Sequence, residues 1–191
     1  MFVAIEGIDG SGKTTQVNLL KDLRVNDLET FITKEPTDGE IGFLIKRILR
    51  TSPKLDNVKM QLLFAADRSE HNSLLLDLKD KLIISDRYVL SSLAYGMASG
   101  IEYEWLASIN SKFMMPDINI IIDFDPADSI GRLNTRDSLE AYENLEFLGN
   151  VRKAYKFLAE KYSNCIVLDG TKSIESLHEE ILRIIKEHAI E

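Results

Sequence analysis

Gly7-Ile8-Asp9-Gly10-Ser11-Gly12-Lys13-Thr14 is the stretch on which the reading of this chain turns. It matches the pattern G-x-x-x-x-G-K-[ST] at every fixed position. The apolar run Phe2–Ile5 precedes it, and residues Lys13–Leu23 follow with Val17, Leu20 and Arg24 at helical spacing. The order is therefore strand, glycine-rich loop, helix. Glycines let such a loop wrap a phosphate closely and turn backbone N–H groups toward it, and the helix start adds partial positive charge. Lys13 would neutralise β- and γ-phosphate oxygens, Thr14 would ligate Mg²⁺ through its hydroxyl, and Thr15 follows it. The pattern implies a nucleoside triphosphate but is equally at home in ATPases, GTPases and kinases.

Outward from the loop, apolar runs and amphipathic segments alternate. Thr30–Thr33, Leu82–Ser85, Ile118–Asp123 and Ile166–Leu168 read as further strands. Helical spacing marks Ile41–Leu49, Met60–Leu78, Val89–Met97, Glu104–Phe113, a segment from about Ala127, Leu145–Tyr162 and Ile174–Ile185. Five apolar strands separated by helices predict a five-stranded parallel sheet with helices on both faces. Ligands of such α/β sheets bind beyond the carboxyl ends of the strands. The length, 191 residues, suits one domain over 1–191, with 45% hydrophobic and 28% charged residues. The net charge of −8 lacks the basic excess of a protein that coats nucleic acid. No run is apolar for long enough to span a membrane, and the start does not read as a signal peptide. Cys165 is the sole cysteine, so no intrachain disulfide can form. The expectation is a cytoplasmic protein with no nucleic-acid or membrane partner.

Several charged residues fall where this architecture would place a site. Leu82-Ile83-Ile84-Ser85-Asp86 is an apolar strand ending in a carboxylate, a position that often holds Mg²⁺. Arg87 follows, able either to fork onto a phosphate or to pair with Asp86. Ser91 and Tyr95 share one face of the next helix. On the helix from Met60 to Leu78, the stripe of Met60, Leu63, Phe64, Leu74, Leu75 and Leu78 passes through Asp67, Arg68 and His71. Unpaired buried charge is costly. Either this section faces a polar cavity, with Phe64 stacking on a flat base and Arg68 donating to its carbonyl, or the three ionisable groups satisfy one another. Arg132 and Arg136, one turn apart, enter a polar segment around 134–144. They are either solvated surface residues or cations of a closing lid.

Together these residues resemble the thymidylate kinases, P-loop nucleoside monophosphate kinases. The resemblance runs through Met1–Thr15, Lys34-Glu35-Pro36, Leu62-Leu63-Phe64-Ala65-Ala66-Asp67-Arg68, Asp86-Arg87-Tyr88-Val89-Leu90-Ser91-Ser92-Leu93-Ala94-Tyr95, and Ile121–Pro126 with Arg132, in the family's order. It implies ATP on residues Gly7, Ile8, Asp9, Gly10, Ser11, Gly12, Lys13, Thr14 and Thr15, with Mg²⁺ at Thr14 and Asp86. It also implies dTMP held by Asp9, Glu35, Phe64, Arg68, Arg87, Ser91 and Tyr95. Phe64 would stack on thymine, Arg68 would bond its O4, Arg87 would hold the phosphate, and Tyr95 would lie near the sugar. Lys13, Asp9, Arg87, Arg132 and Arg136 would carry catalysis, and the family implies a homodimer. Three departures stand out. Gly96 follows Ala-Tyr where the family commonly has Gln, the lid is short, and Gly10 stands where some members carry an arginine. Two other functions fit the loop: a nucleotide-switch or partner-regulated ATPase that needs no acceptor pocket, and a kinase for another small acceptor, either a different nucleotide or a nucleoside, the latter needing no phosphate clamp at Arg87.

Overall fold

Strand β1, Phe2–Gly7, is buried at every position, because it lies in the middle of the sheet. The structure, a computed structural model, describes residues 1–51, 56–78, 80–129 and 138–189, with backbone alone at 129 and 138–144. The sheet order is β2-β3-β4-β1-β5-β6, with β3 Leu28–Lys34, β4 Leu82–Asp86, β5 Ile118–Asp123 and β6 Cys165–Asp169 running parallel to β1. Alternate side chains of β1 serve opposite cores, as the pleat requires. Phe2 and Ala4 join one cluster, Val3 and Ile5 the other.

The first cluster lies under helices α4 (Val89–Ala98), α5 (Tyr103–Asn110) and α7 (Ser138–Lys161); the second lies under α1 (Lys13–Leu19) and α8 (Ile174–His188). Helices α2 (Glu40–Thr51) and α3 (Asn57–Asp77) pack together, and the one-turn α6 (Pro126–Ser129) follows β5.

The sheet has six strands rather than the five expected. The extra strand, β2 (Arg24–Val25), pairs antiparallel with the start of β3. Its turn residues Asn26 and Asp27 both have positive φ, 49° and 65°, the backbone of a tight hairpin turn. Two residues carry no period, so periodicity alone merges this strand into its surroundings; helix α1 correspondingly stops at Leu19, short of Leu23. Helix α7 begins at Ser138, earlier than the expected Leu145.

The parallel register brings the carboxyl ends of β1, β3 and β4 together: Asp86 lies beside Ile5 and Lys34. Gly7 lies beside Ile122 of β5, at φ 144°. A Cβ there would sit 2.7 Å from the Ile122 carbonyl oxygen, so only glycine lets the loop leave β1 this close to its neighbour.

Gly96, the residue that replaces the family's Gln, is buried in α4, and a Cβ on it would lie 2.6 Å from Leu106 Cδ2 of α5. Its side-chain direction is thus toward α5, and its role here is close helix packing. Replacing a helix-interior glycine by alanine gains about 0.5–1 kcal/mol, but forced overpacking costs roughly 1–3 kcal/mol. The second term wins for a large residue. Gly96→Gln should lower the melting temperature in calorimetry, and a Tm equal to or above that of the parent chain would contradict this packing.

Candidate active site

The loop after β1 closes over Lys13, which is 5% exposed and donates from Nζ to the Ile8 carbonyl at 2.6 Å. Burial, reinforced by the neighbouring Arg87 charge, pushes the Lys13 ammonium down to about 7, against the pull of Asp9, Asp86 and Glu6. Thr14 donates from Oγ1 to Asp86 Oδ2 at 2.5 Å. A hydroxyl and a carboxylate therefore stand side by side at the loop mouth, both hard oxygen donors of the kind that suits Mg²⁺. These residues line a cleft of about 700 Å³ that extends past Lys34 and Lys46 to Gly170, Lys172 and Ile174.

A second cavity, about 610 Å³, is walled by Phe64 and Arg68 of α3, Ser91, Ser92 and Tyr95 of α4, and Phe147 of α7. It shares Asp9, Glu35, Pro36 and Arg87 with the loop cleft, so the two spaces meet at these residues. Tyr95 and Phe147 rings stand edge to face, 6.1 Å apart.

Arg87 is the hinge between them. It has φ 71°, a left-handed backbone that costs a non-glycine residue about 1–2 kcal/mol. The cost is met by bonds on both sides of the residue: its N–H donates to Ile5 O, and Ser85 Oγ donates to its carbonyl. The turn sends the side chain back across the end of β1. Nη2 reaches Asp9 Oδ1 at 2.5 Å and Tyr95 at 3.3 Å, and Nη1 reaches Ser91 Oγ and Gly7 O. Tyr95 also donates to Asp9. Burial by itself would raise the Asp9 carboxyl, but the charges of Arg87 and Lys13 outweigh it and hold the group below the usual carboxylate range. Arg87 and Asp86 do not form the structural pair considered above; Asp86 bonds Thr14 and Arg87 bonds Asp9.

Beneath Arg87 lies Glu6, 0% exposed. It accepts from the N–H groups of Tyr88 and Ser91, from Ser91 Oγ, and from Tyr155 Oη of α7 at 3.0 Å. Burial pushes its carboxyl up, against these bonds and the Arg87 charge. Four donors converging on two oxygens suit the ionised, acceptor-only form. Ser91 therefore supports Arg87 and also lines the second cavity.

The polar section of α3 is satisfied from outside α3. Thr33, Glu35 and Thr37 alternate along the end of β3 and the turn beyond it, and between them they meet all three ionisable residues of the helix section. Thr33 Oγ1 contacts His71 Nε2 at 2.7 Å; Glu35 takes His71 Nδ1 on one oxygen and Arg68 on the other; Thr37 donates twice to Asp67. The alternative in which Asp67, Arg68 and His71 satisfy one another is thus replaced by pairing across a period-two strand end and a helical face. Arg68 is 1% exposed yet borders the second cavity. Phe64 is half-buried on the cavity wall, while Leu74 of the same stripe is 46% exposed.

Glu35 is 6% exposed, holds Arg68 and lines both cavities. Ser92, Asn110 and Tyr155 were not singled out from the sequence. Ser92 and Asn110 bond Arg68, and Tyr155 bonds Glu6 and Ser91. Ser92 could have been found as the neighbour of Ser91 on the same helix; Asn110 and Tyr155 come from distant segments with no local signal. Arg152, also unremarked, ties α7 to the end of β5 through Asp123 and Asp125. Arg132, Arg136 and residues 134–137 of the expected lid lie outside the described residues.

Comparison with known proteins agrees with this geometry. The family model described as thymidylate kinase matches residues 5–181. A protein of Pyrococcus horikoshii named "Probable thymidylate kinase" is 39% identical, over 97% of this chain and 95% of that one. Its namesake in Methanocaldococcus jannaschii is 40% identical, over 97% and 96%. The solved thymidylate kinase of Candida albicans superposes with a TM-score of 0.79 at 26% identity, covering 97% of this chain and 91% of that one. That of Ehrlichia chaffeensis gives 0.77 at 27%, covering 97% and 98%. A P-loop, a second cavity joined to it at an Asp–Arg pair, and these matches along nearly the whole length place the chain in the thymidylate kinase family.

Proposed function

We infer that this chain transfers the γ-phosphoryl group of ATP to dTMP, giving dTDP for dTTP supply. The observation that carries the reading is the junction of two cavities at Asp9 and Arg87. In-line transfer needs donor and acceptor phosphates to face each other with water kept out.

ATP lies with its phosphates in the loop of residues 7–14, against Lys13, and its ring toward Gly170, Lys172 and Ile174. Thr14 and Asp86 would hold Mg²⁺, which would supply positive charge to the phosphates when bound. Arg87, steadied by Asp9, Ser91 and Glu6, takes the phosphate of dTMP. Phe64 stacks on the base, Arg68 donates to its carbonyl edge, and Tyr95 stands near the sugar. Arg132 and Arg136 supply positive charge to the transferred group from the lid. Catalysis on this scheme is positioning plus electrostatics, with no covalent enzyme intermediate.

We propose that the protein works in the cytoplasm as a homodimer. Among the described residues no helix is long and apolar enough to cross a membrane. Val58, Leu62 and Leu76 lie on one face of α3, between 44% and 51% exposed, and Phe43 on the neighbouring α2 is 61% exposed. Sedimentation should give a dimer mass, and Leu62→Glu should shift it to the monomer; a monomeric parent chain would refute the assembly.

Turnover of ATP should depend on the acceptor. In a panel of dTMP, dUMP, dCMP, AMP and thymidine, dTMP should give the highest kcat/KM. Arg87→Ala should lower that value by about 10²–10³ with KM for ATP little changed. Rapid hydrolysis indifferent to dTMP would indicate the nucleotide-switch ATPase instead, and a preference for thymidine would indicate a nucleoside kinase.

Lys13 makes ATP binding proton-linked. Its ammonium titrates at about 7 in the free chain, and bound phosphate charge raises that value. Above pH 7 binding must therefore take up a proton, and affinity falls as pH rises. Calorimetry at pH 8 in buffers of different ionisation enthalpy should show proton uptake on binding ATP; none would contradict the shift.

A further inference from the structure

We propose that Asn110, on helix α5, is a positioning residue that sets base selectivity by fixing which N–H of Arg68 faces the acceptor. The inference rests on the reading of the second cavity as the acceptor site.

Arg68 is immobilised on every side but one. Its guanidinium carbon lies over the rings of Tyr88 and Phe113, 5.2 and 5.9 Å from their centroids. One edge, Nε and Nη2, forks onto Glu35 Oε2, and Nη2 also reaches Ser92 Oγ and the Tyr88 carbonyl. Glu35 cannot swing away, because its other oxygen is held by His71 at 2.9 Å. Nη1 donates to Asn110 Oδ1. These acceptors take Nε, both hydrogens of Nη2 and one hydrogen of Nη1. Among the described residues the second Nη1 hydrogen has no named acceptor, and Arg68 borders the cavity.

Asn110 can offer Arg68 only its carbonyl oxygen. Its Nδ2 donates to Leu106 O at 2.8 Å, and the side chain sits in a residue that is 3% exposed. The amide is therefore fixed as an acceptor, and Nη1 cannot turn its free hydrogen elsewhere. A guanidinium has donors only. A donor held rigidly at the cavity wall rewards a base with a carbonyl there and leaves two donors opposed when the base carries an exocyclic amine. A buried donor without a partner is costly, and sites built on such a bond reject the mismatched analogue strongly. Without Asn110, Nη1 carries two unpaired hydrogens in place of one, and its donation toward the base no longer has a single direction.

The test compares kcat/KM for dTMP and dCMP, KM for ATP and Tm in the parent chain, Asn110→Asp, Asn110→Ala and Asn110→Leu. Asn110→Asp retains an acceptor oxygen and should retain most of the preference for dTMP. Asn110→Ala and Asn110→Leu should lower that preference by about 10–100-fold, through dTMP, with KM for ATP unchanged. Alanine provides the reading if leucine prevents folding. An unchanged preference in a folded Ala or Leu variant, or an equal loss in Asn110→Asp, would overturn the role of Asn110. A parent chain that does not discriminate dTMP from dCMP would instead sink the acceptor-site reading, and the inference with it.

Discussion

The Asp9–Arg87 ion pair is the constraint around which the site is arranged. It joins the phosphate loop after β1 to the turn after β4, at the point where two cavities open into each other. Asp9 is 57% exposed at its side chain, so the attraction in water would be modest. Its importance is geometric. Arg87 bends back in a left-handed conformation, and the pair with Asp9 fixes which way its guanidinium points once it has done so. A phosphate entering either cavity finds a cation already aimed, and the cost of ordering that side chain is met during folding.

Beneath this pair the site stands on buried charge. Glu6 holds the start of α4, and Glu35 holds Arg68 and His71. Buried ions cost several kcal/mol each before compensation, and removing one partner of such a pair typically destabilises by about 3–5 kcal/mol. A core of apolar residues would be cheaper. What the charged arrangement provides is direction: each carboxylate accepts from several donors on different elements, so only one placement of α3, α4 and α7 against the strand ends satisfies them together. The result is a cavity whose polar groups are held rigidly from behind, which is what recognition by a few aimed hydrogen bonds demands.

Helix α7 has a double duty in this arrangement. Tyr155 reaches Glu6 and Ser91, Phe147 walls the second cavity, and Arg152 forks onto Asp123 while also reaching Asp125 at the end of β5. One helix thus carries a wall of the second cavity, a support for Arg87 and an anchor to the sheet. Its packing against α4 keeps the Arg87 turn and the cavity wall in one rigid unit.

The sequence by itself determined the local chemistry. Gly7–Thr14 reads as a phosphate loop because its glycines, lysine and hydroxyl follow a buried strand and open a helix. The parallel sheet followed from short apolar runs that alternate with helical segments, although β3 and β6 are only partly buried. Those features lie within short stretches, so spacing reveals them. The partnership of the ionisable groups was decided only by tertiary structure. Thr33, Glu35 and Thr37 alternate along one segment while Asp67, Arg68 and His71 crowd the face of another, and no rule of local spacing says that they interlock. Asn110 and Tyr155 meet the site from far along the chain. The two-residue β2 had no period to read. Hydrogen bonds have direction and short reach, so a buried charge finds its partners only when the packing of the sheet and its helices has fixed which surfaces face each other.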